Sequence, residues 1–134
     1  MANDALFHAM DLSASGLQAE WVRMQVVANN IANAETTETV EGGPYRRKHV
    51  VFATVLDGLN GVQVRGVVSS LSGPRMVYDP SHPDADEKGF VAMPDVNPSL
   101  EMVDLLAASR AYEANLTCMR NFKLICEEAI KLLR

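Results

Sequence analysis

Apolar side chains recur along the first thirty residues at an unbroken helical interval. Phe7, Met10, Ala14, Leu17, Trp21, Met24, Ala28 and Ile31 are separated by alternating steps of three and four. That 3–4 alternation is the seam of an amphipathic helix that packs along another helix. Asn3 or Asp4 can cap its start, so the pattern predicts a helix from about residue 4 to about residue 33. The other end of the chain repeats the pattern: Leu105, Ala108, Tyr112, Asn115, Met119, Phe122, Cys126, Ala129 and Leu133. Leu116, Ile125, Ile130 and Leu132 widen this second stripe, and a wide stripe faces more than one neighbour. Pro98 followed by Ser99 predicts a start with Ser99 as cap, and the helix should run from about 100 to 133.

Between the helices the period changes. Pro44 to Leu56 (PYRRKHVVFATVL) is rich in β-branched and aromatic residues, and Val62 to Ser69 (VQVRGVVS) alternates. Asn60-Gly61 between them is a hairpin signal. Arg75 to Tyr78 and Gly89 to Met93 are two further short strands, separated by the turn-rich DPSHPDADEKG at 79–89. The expected fold is therefore α+β: long terminal helices paired as a coiled coil, with a small antiparallel β unit of four strands inserted. The corresponding divisions are 1–36, 37–97 and 98–134.

Two helices of this length cover only part of each other's stripes, and exposed contiguous apolar surface marks an interaction site. Composition narrows the partner. The chain has 134 residues, 48% of them hydrophobic and 22% charged, which suits one folded domain. Its net charge of −5 argues against nucleic acid, whose phosphates select a basic excess. The short cluster Arg46-Arg47-Lys48 reads as a solvated strand start. No run of 18 apolar residues is present, so no membrane insertion is expected. MANDALFHAM lacks the basic n-region and apolar core of a Sec signal peptide, which implies a cytoplasmic chain or one exported by a route that reads an uncleaved N-terminus. Cys118 and Cys126 lie eight residues apart in one predicted helix, ~12 Å along its axis, too far to bridge each other.

Candidate chemistry is thin. Asp84, Asp86, Gly89 and Asp95 echo a calcium loop, but Lys88 stands where the fifth ligand belongs and strands flank the segment. His82 among Asp79, Asp84 and Asp86, between Pro80 and Pro83, reads as a polar turn. No nucleophile, base and orienting group assemble, so no enzyme and no cofactor is expected. The polar positions inside the helices carry more information. Asn29, Asn30 and Asn33 crowd the end of the first helix, where the amides either ease the chain into a turn or hydrogen-bond across an interface and set its register. Ser13, Ser15 and Gly16 suit close approach of another backbone. In SRAYEAN (109–115), Tyr112 and Asn115 lie on the seam, and Arg110 and Glu113 are spaced for a local ion pair.

These segments carry a resemblance. SGLQAEWVRMQVVANNIANAET (15–36) resembles the N-terminal signature of bacterial flagellar axial proteins, the rod, hook and hook-associated subunits. MVDLLAASRAYEANLTCMRNFK (102–123) resembles their C-terminal signature. GGPYRRKHVVF (42–52) and YDPSHPDADEKGFVAMPDVNP (78–98) are similar to proximal-rod members. FKLICEEAIKLLR departs from the Thr-rich tail of the family, and Trp21 is unusual for its helix. The resemblance implies a rod subunit whose terminal helices line a hollow tube while the middle segment contacts neighbours outside it. It implies self-association in a helical tube, with other rod proteins and the adaptor between rod, MS ring and export gate as partners. It also implies export unfolded through the flagellar type III apparatus to the basal body, without a cleaved signal. The implied interface comprises Phe7, Met10, Ser13, Gly16, Leu17, Trp21, Met24, Asn29, Asn30, Ile31 and Asn33 on the first helix. On the second it comprises Leu105, Arg110, Tyr112, Glu113, Asn115, Leu116, Met119 and Phe122, with middle-segment contacts at Tyr45, Arg46, Arg47, Tyr78 and His82. A soluble coiled-coil adaptor or export chaperone of a secretion system is the alternative, and a β middle is what such a chaperone would not need.

Overall fold

Each end of the chain is a single long helix. The computed structural model describes residues 2–54 and 61–132, with side chains from residue 8 onward. Helix α1 spans Ala2–Ala32 and helix α2 spans Pro98–Leu132. Four short strands lie between: β1 (Lys48–Thr54), β2 (Val62–Ser69), β3 (Arg75–Tyr78) and β4 (Phe90–Met93). The α+β class and the helical ends match the sequence pattern. The expected four-strand unit does not form: among the described residues β1 pairs with β2 and β3 with β4, in two separate antiparallel ladders. Val50 and Val64 are half-buried, Val50 near Val26 and Val27 of α1 and Val64 near Ala19 and Val22.

The ends of the elements differ by a few residues for local reasons. Helix α2 starts two residues earlier than a Ser99 cap would place it. Asn97 is the cap: its Oδ1 accepts from the backbone N–H groups of Ser99 (3.0 Å) and Leu100 (3.4 Å), and Pro98 takes the first helical position, where no N–H is needed. Helix α1 runs through Asn3 and Asp4 instead of starting at them. Strand β1 begins at Lys48; upstream of it, Tyr45 N–H donates to Thr36 C=O (3.0 Å). In the β1–β2 ladder the register shifts between Val51 and Phe52, leaving Arg65 as the extra residue of a bulge. Of the predicted hairpin signal, Asn60 lies outside the described residues, and Gly61 has φ +95°. A Cβ there would overlap Ser15 Oγ on α1, so Gly61 permits both the turn and the approach to the helix. Ser15 Oγ accepts from Val62 N–H (3.2 Å) and donates to Leu12 C=O (2.8 Å), tying the hairpin to α1.

The two helices run antiparallel. Asn30 lies beside Glu101 and Gly16 beside Asn115, 14 residues apart on each helix. The core is small: Ala19, Val26, Val27, Ala34, Val91, Val96 and Ala108, with Pro94. No helix among the described residues is long and apolar enough to cross a membrane.

Candidate functional site

One row of α1 that meets α2 is polar or small. Gly16, Arg23 and Asn30 touch Asn115, Asp104 and Glu101 respectively, and they are spaced seven apart. This heptad is polar or small, so hydrophobic periodicity does not reveal it. The apolar seam expected from the sequence is rotated to one side. Met10, Ala14, Leu17, Met24 and Ile31 are half-buried on its flank, whereas Ala28 is exposed and Trp21 is 51% exposed. A one-residue offset on a helix is a rotation of about 100°, and α1 must also face β1 and β2. On α2 the expected seam is correct: Ala108 is buried and Leu105, Tyr112, Asn115, Met119, Phe122 and Cys126 are half-buried. Ala129 is exposed, and Leu133 and the side chain of Phe7 lie outside the described residues.

One end of the helix pair is closed by a buried polar node. Asn30 and Glu101 are each 1% exposed. Asn30 Nδ2 donates to Glu101 Oε2 (2.9 Å) and to the Lys48 carbonyl (2.7 Å), while its Oδ1 accepts from Lys48 N–H (2.9 Å) and Tyr45 O–H (3.0 Å). One amide therefore reads both backbone groups of Lys48 as a neighbouring strand would. Arg47 Nε donates to Glu101 Oε1 (2.6 Å), and its Nη2 lies 3.5 Å from Asp104 Oδ2. Arg23 Nη2 lies 3.8 Å from the other Asp104 oxygen and Nη1 3.5 Å from Glu20. A buried carboxylate requires such partners, because an unpaired charge in the interior is strongly unfavourable. Burial, and then the Glu101 carboxylate, hold the Tyr45 phenol above its ordinary pKa, which keeps it a donor.

Arg47 is thus an internal ion-pair partner, which corrects the reading of Arg46-Arg47-Lys48 as solvated throughout. Arg46 and Lys48 are exposed, with Lys48 Nζ 5.6 Å from the Tyr45 ring centroid. Asn33 supports the turn reading: its Nδ2 donates to Asn29 C=O (2.8 Å) and closes the end of α1. Ser13 Oγ donates to Ala9 C=O (3.1 Å) within its own helix. Arg110 and Glu113 are both exposed and form no ion pair with each other. A Cβ on Gly16 would stand 2.8 Å from Asn115 Nδ2, so the close approach expected there is made by α2 of the same chain.

The 79–89 segment is a polar turn. Asp79 Oδ1 accepts from Ser81 N–H (3.1 Å) and O–H (2.6 Å), which holds the Asp79 carboxyl below its ordinary pKa. Asp86 Oδ1 accepts from Lys88 and Phe90 N–H groups, and Thr37 Oγ1 donates to Asp84 (2.7 Å). His82 Nδ1 accepts from Asp84 N–H (3.1 Å), and Tyr78 meets Phe90 edge-on at 5.3 Å. Among the described residues no three His, Cys, Asp or Glu side chains are placed to share a metal ion.

Sequence reasoning passed over Glu101, the most buried ionisable group. A signal was available: stepping the α2 seam back from Leu105 by four lands on residue 101. A carboxylate at a seam position, beside a helix end crowded with Asn, is the trace of an internal hydrogen-bonded pair.

Residues 10–38 match the family described as Flagella basal body rod protein, and residues 87–123 match the Flagellar basal body rod FlgEFG protein C-terminal family. The flagellar basal-body rod protein FlgC of Borreliella burgdorferi is 38% identical, over 96% of this chain and 98% of that one. FlgC of Bacillus subtilis is 39% identical over 94% and 97%, and FlgC of Aquifex aeolicus 40% over 94% and 96%. The two matched segments coincide with α1 and the α2 region, the same pair that the node clamps, and the relatives are aligned across the middle as well. The chain therefore belongs to the FlgC family of flagellar basal-body rod proteins, whose role is structural and not enzymatic.

Proposed function

We infer that the chain polymerises with other rod proteins through its terminal segments, 1–36 and 98–134, to build the hollow drive shaft and export channel of the basal body. The observation that carries this reading is uncovered surface. A folded monomer of 14.6 kDa exposes about 6,900 Å² by the usual scaling with mass. This chain exposes 9779 Å². The excess, about 2,900 Å², is of the size that obligate interfaces bury. It includes Trp21 on α1 and Leu100, Met102, Val103, Leu106, Leu124, Ile125, Ile130 and Leu132 on α2. Contacts between non-equivalent faces that do not close generate helical assemblies.

In this reading the interface of α1 uses the rotated apolar row, with Met10, Leu17, Trp21, Met24 and Ile31, and that of α2 uses Arg110, Glu113, Leu116 and Met119 with their neighbours. The middle segment, 37–97, meets neighbouring subunits outside the helices, through Arg46, Tyr78 and His82. Partners are the other rod proteins and the adaptor joining the rod to the MS ring and export gate. The chain reaches the periplasm-spanning rod through the type III apparatus without a cleaved signal.

Trp21→Asp tests the reading in a flagellated strain carrying this gene as its only copy. Trp21 is half exposed, so helicity of the purified variant should be unchanged. Export should remain detectable while rods and motility are lost. Normal swimming would refute the assembly role of the α1 apolar row.

A further inference from the structure

Among the described residues β1 and β2 form a ladder of two strands, so each strand has a long edge with no neighbouring strand. Such edges pair with strands of other chains, most readily where the sequence is β-prone and uncharged. β1 is of that kind: His49 to Thr54 (HVVFAT) contains no proline, no acidic residue and no lysine or arginine. Phe52 is exposed, as are Val67 and Val68 across the ladder. Strands β3 and β4, at four residues each, offer only short edges.

Backbone alternation identifies the groups on the β1 edge. Ser70 N–H donates to Arg47 C=O (2.7 Å), so 47 and 70 form a hydrogen-bonded pair. By alternation Lys48, opposite Ser69, and Val50, opposite Val67, direct their N–H and C=O away from β2. At Lys48 both outward groups are taken by one side chain: Asn30 Oδ1 accepts from the N–H (2.9 Å) and Nδ2 donates to the C=O (2.7 Å). An added antiparallel strand would make that same pair of bonds there. Asn30 is buried, and Glu101 and Tyr45 hold its amide as well, so an incoming strand cannot displace it without opening the node. The opposite edge of the ladder is interrupted by other means. The bulge leaves Arg65, exposed and cationic, as an extra residue in β2, which bends that strand and breaks its regular edge.

We propose that Asn30 acts as a surrogate strand that closes the outer edge of β1 and keeps copies of this chain from joining edge to edge through residues 48–54. One amide then has two separable roles. Setting the helix register uses its bond to Glu101; closing the edge uses its two bonds to Lys48.

Two variants of the full chain separate those roles. Asn30→Leu removes the bonds to Lys48, whereas Glu101→Gln keeps them and removes the ion pair to Arg47. Each is incubated at a urea concentration chosen to give the two the same folded fraction, so that both present the same unfolded population. Asn30→Leu should then form thioflavin-positive, β-rich aggregates about tenfold faster than Glu101→Gln. Adding Val50→Pro to Asn30→Leu should slow aggregation again, because proline deletes an outward N–H and leaves the bonds to β2 in place. Equal rates for the two single variants would overturn the proposal, as would an Asn30→Leu rate that Val50→Pro leaves unchanged or raises. The native chain supplies a check that needs no variant. In hydrogen exchange the Lys48 amide should be protected about tenfold more than the Val50 amide, which points the same way but is not bonded to Asn30. Exchange of Lys48 as fast as that of Val50 would mean that Asn30 does not close the edge.

Discussion

The two ends of the helix pair are built on opposite principles. At the end where α1 finishes and α2 begins, Asn30 and Glu101 are buried and hydrogen-bonded, with the half-buried Arg47 and Tyr45 and the Lys48 backbone as their partners. At the other end apolar groups are exposed and unsatisfied, from Leu124 to Leu132. The first arrangement consumes its own binding capacity, since the Asn30 amide and both Glu101 oxygens already have partners at fixed distances. It specifies register and holds the middle segment against both helices. The second leaves hydrophobic free energy unspent at about 25 cal/mol per Å² of apolar surface. Two of the residues that appear most polar in sequence, Asn30 and Glu101, are therefore buried beside the small apolar core, while many residues that appear most like core are exposed.

This contrast can be broken most decisively at Asn30. Asn30→Leu strands Lys48 N–H and C=O, the Tyr45 hydroxyl and one Glu101 oxygen. At roughly 1–3 kcal/mol per buried unsatisfied group, with partial relaxation, the loss should be about 3–4 kcal/mol. Urea denaturation followed by helical circular dichroism would measure it, and a loss under about 1 kcal/mol would mean the node is dispensable. Glu101→Gln probes the charge alone. It keeps the shape but removes the ion pair to Arg47, and should cost about 2 kcal/mol, moderated because Arg47 is 39% exposed.

A smaller effect belongs to the waist between the two ends. Gly16→Val should destabilise by about 1–2 kcal/mol because its side chain must displace Asn115. Asn115→Ala should relieve most of that penalty, and a double-mutant cycle would show the coupling. Independence of the two substitutions would contradict the antiparallel register given above.

The exposed end should behave in the reverse sense. Ile130→Asp, at a residue 63% exposed, should alter the stability of the dilute chain by less than about 0.5 kcal/mol. The same change should impair rod assembly, as scored by basal-body yield. A large loss of monomer stability would show that this end is packed within the chain.

The least perturbing test is alkaline titration. Tyr45 has a folded-state pKa above its unfolded value near 10. Above pH 10 the unfolded chain therefore releases a proton that the folded chain keeps, and this contribution to stability falls as pH rises through that window. Tyr45→Phe should flatten the decline, as followed by urea midpoints across the alkaline range. Identical curves for both proteins would separate Tyr45 from the node.

Much of this was legible before any coordinates. Element type and order followed from the change of period, 3.5 at the ends and 2 in the middle, because periodicity is a local property of the chain. The α2 seam was legible because its neighbour lies on one side. The α1 seam was not, because α1 packs against α2 and the β1–β2 hairpin at once, and the apolar row is then only one of three faces in use. Arg47 appeared solvated in a run of three basic residues, since nothing local announces a carboxylate 54 positions away.

Alone, the order of residues determined that this protein has two long amphipathic ends and an extended middle, because those depend on intervals within the chain. Only the tertiary structure decided which row of α1 faces inward, that Glu101 is the buried charge, and that the strands form two ladders. Those outcomes turn on groups far apart in sequence: a charge enters an interior only when its partners arrive with it, and a helix rotates to satisfy its costliest groups before its greasy ones.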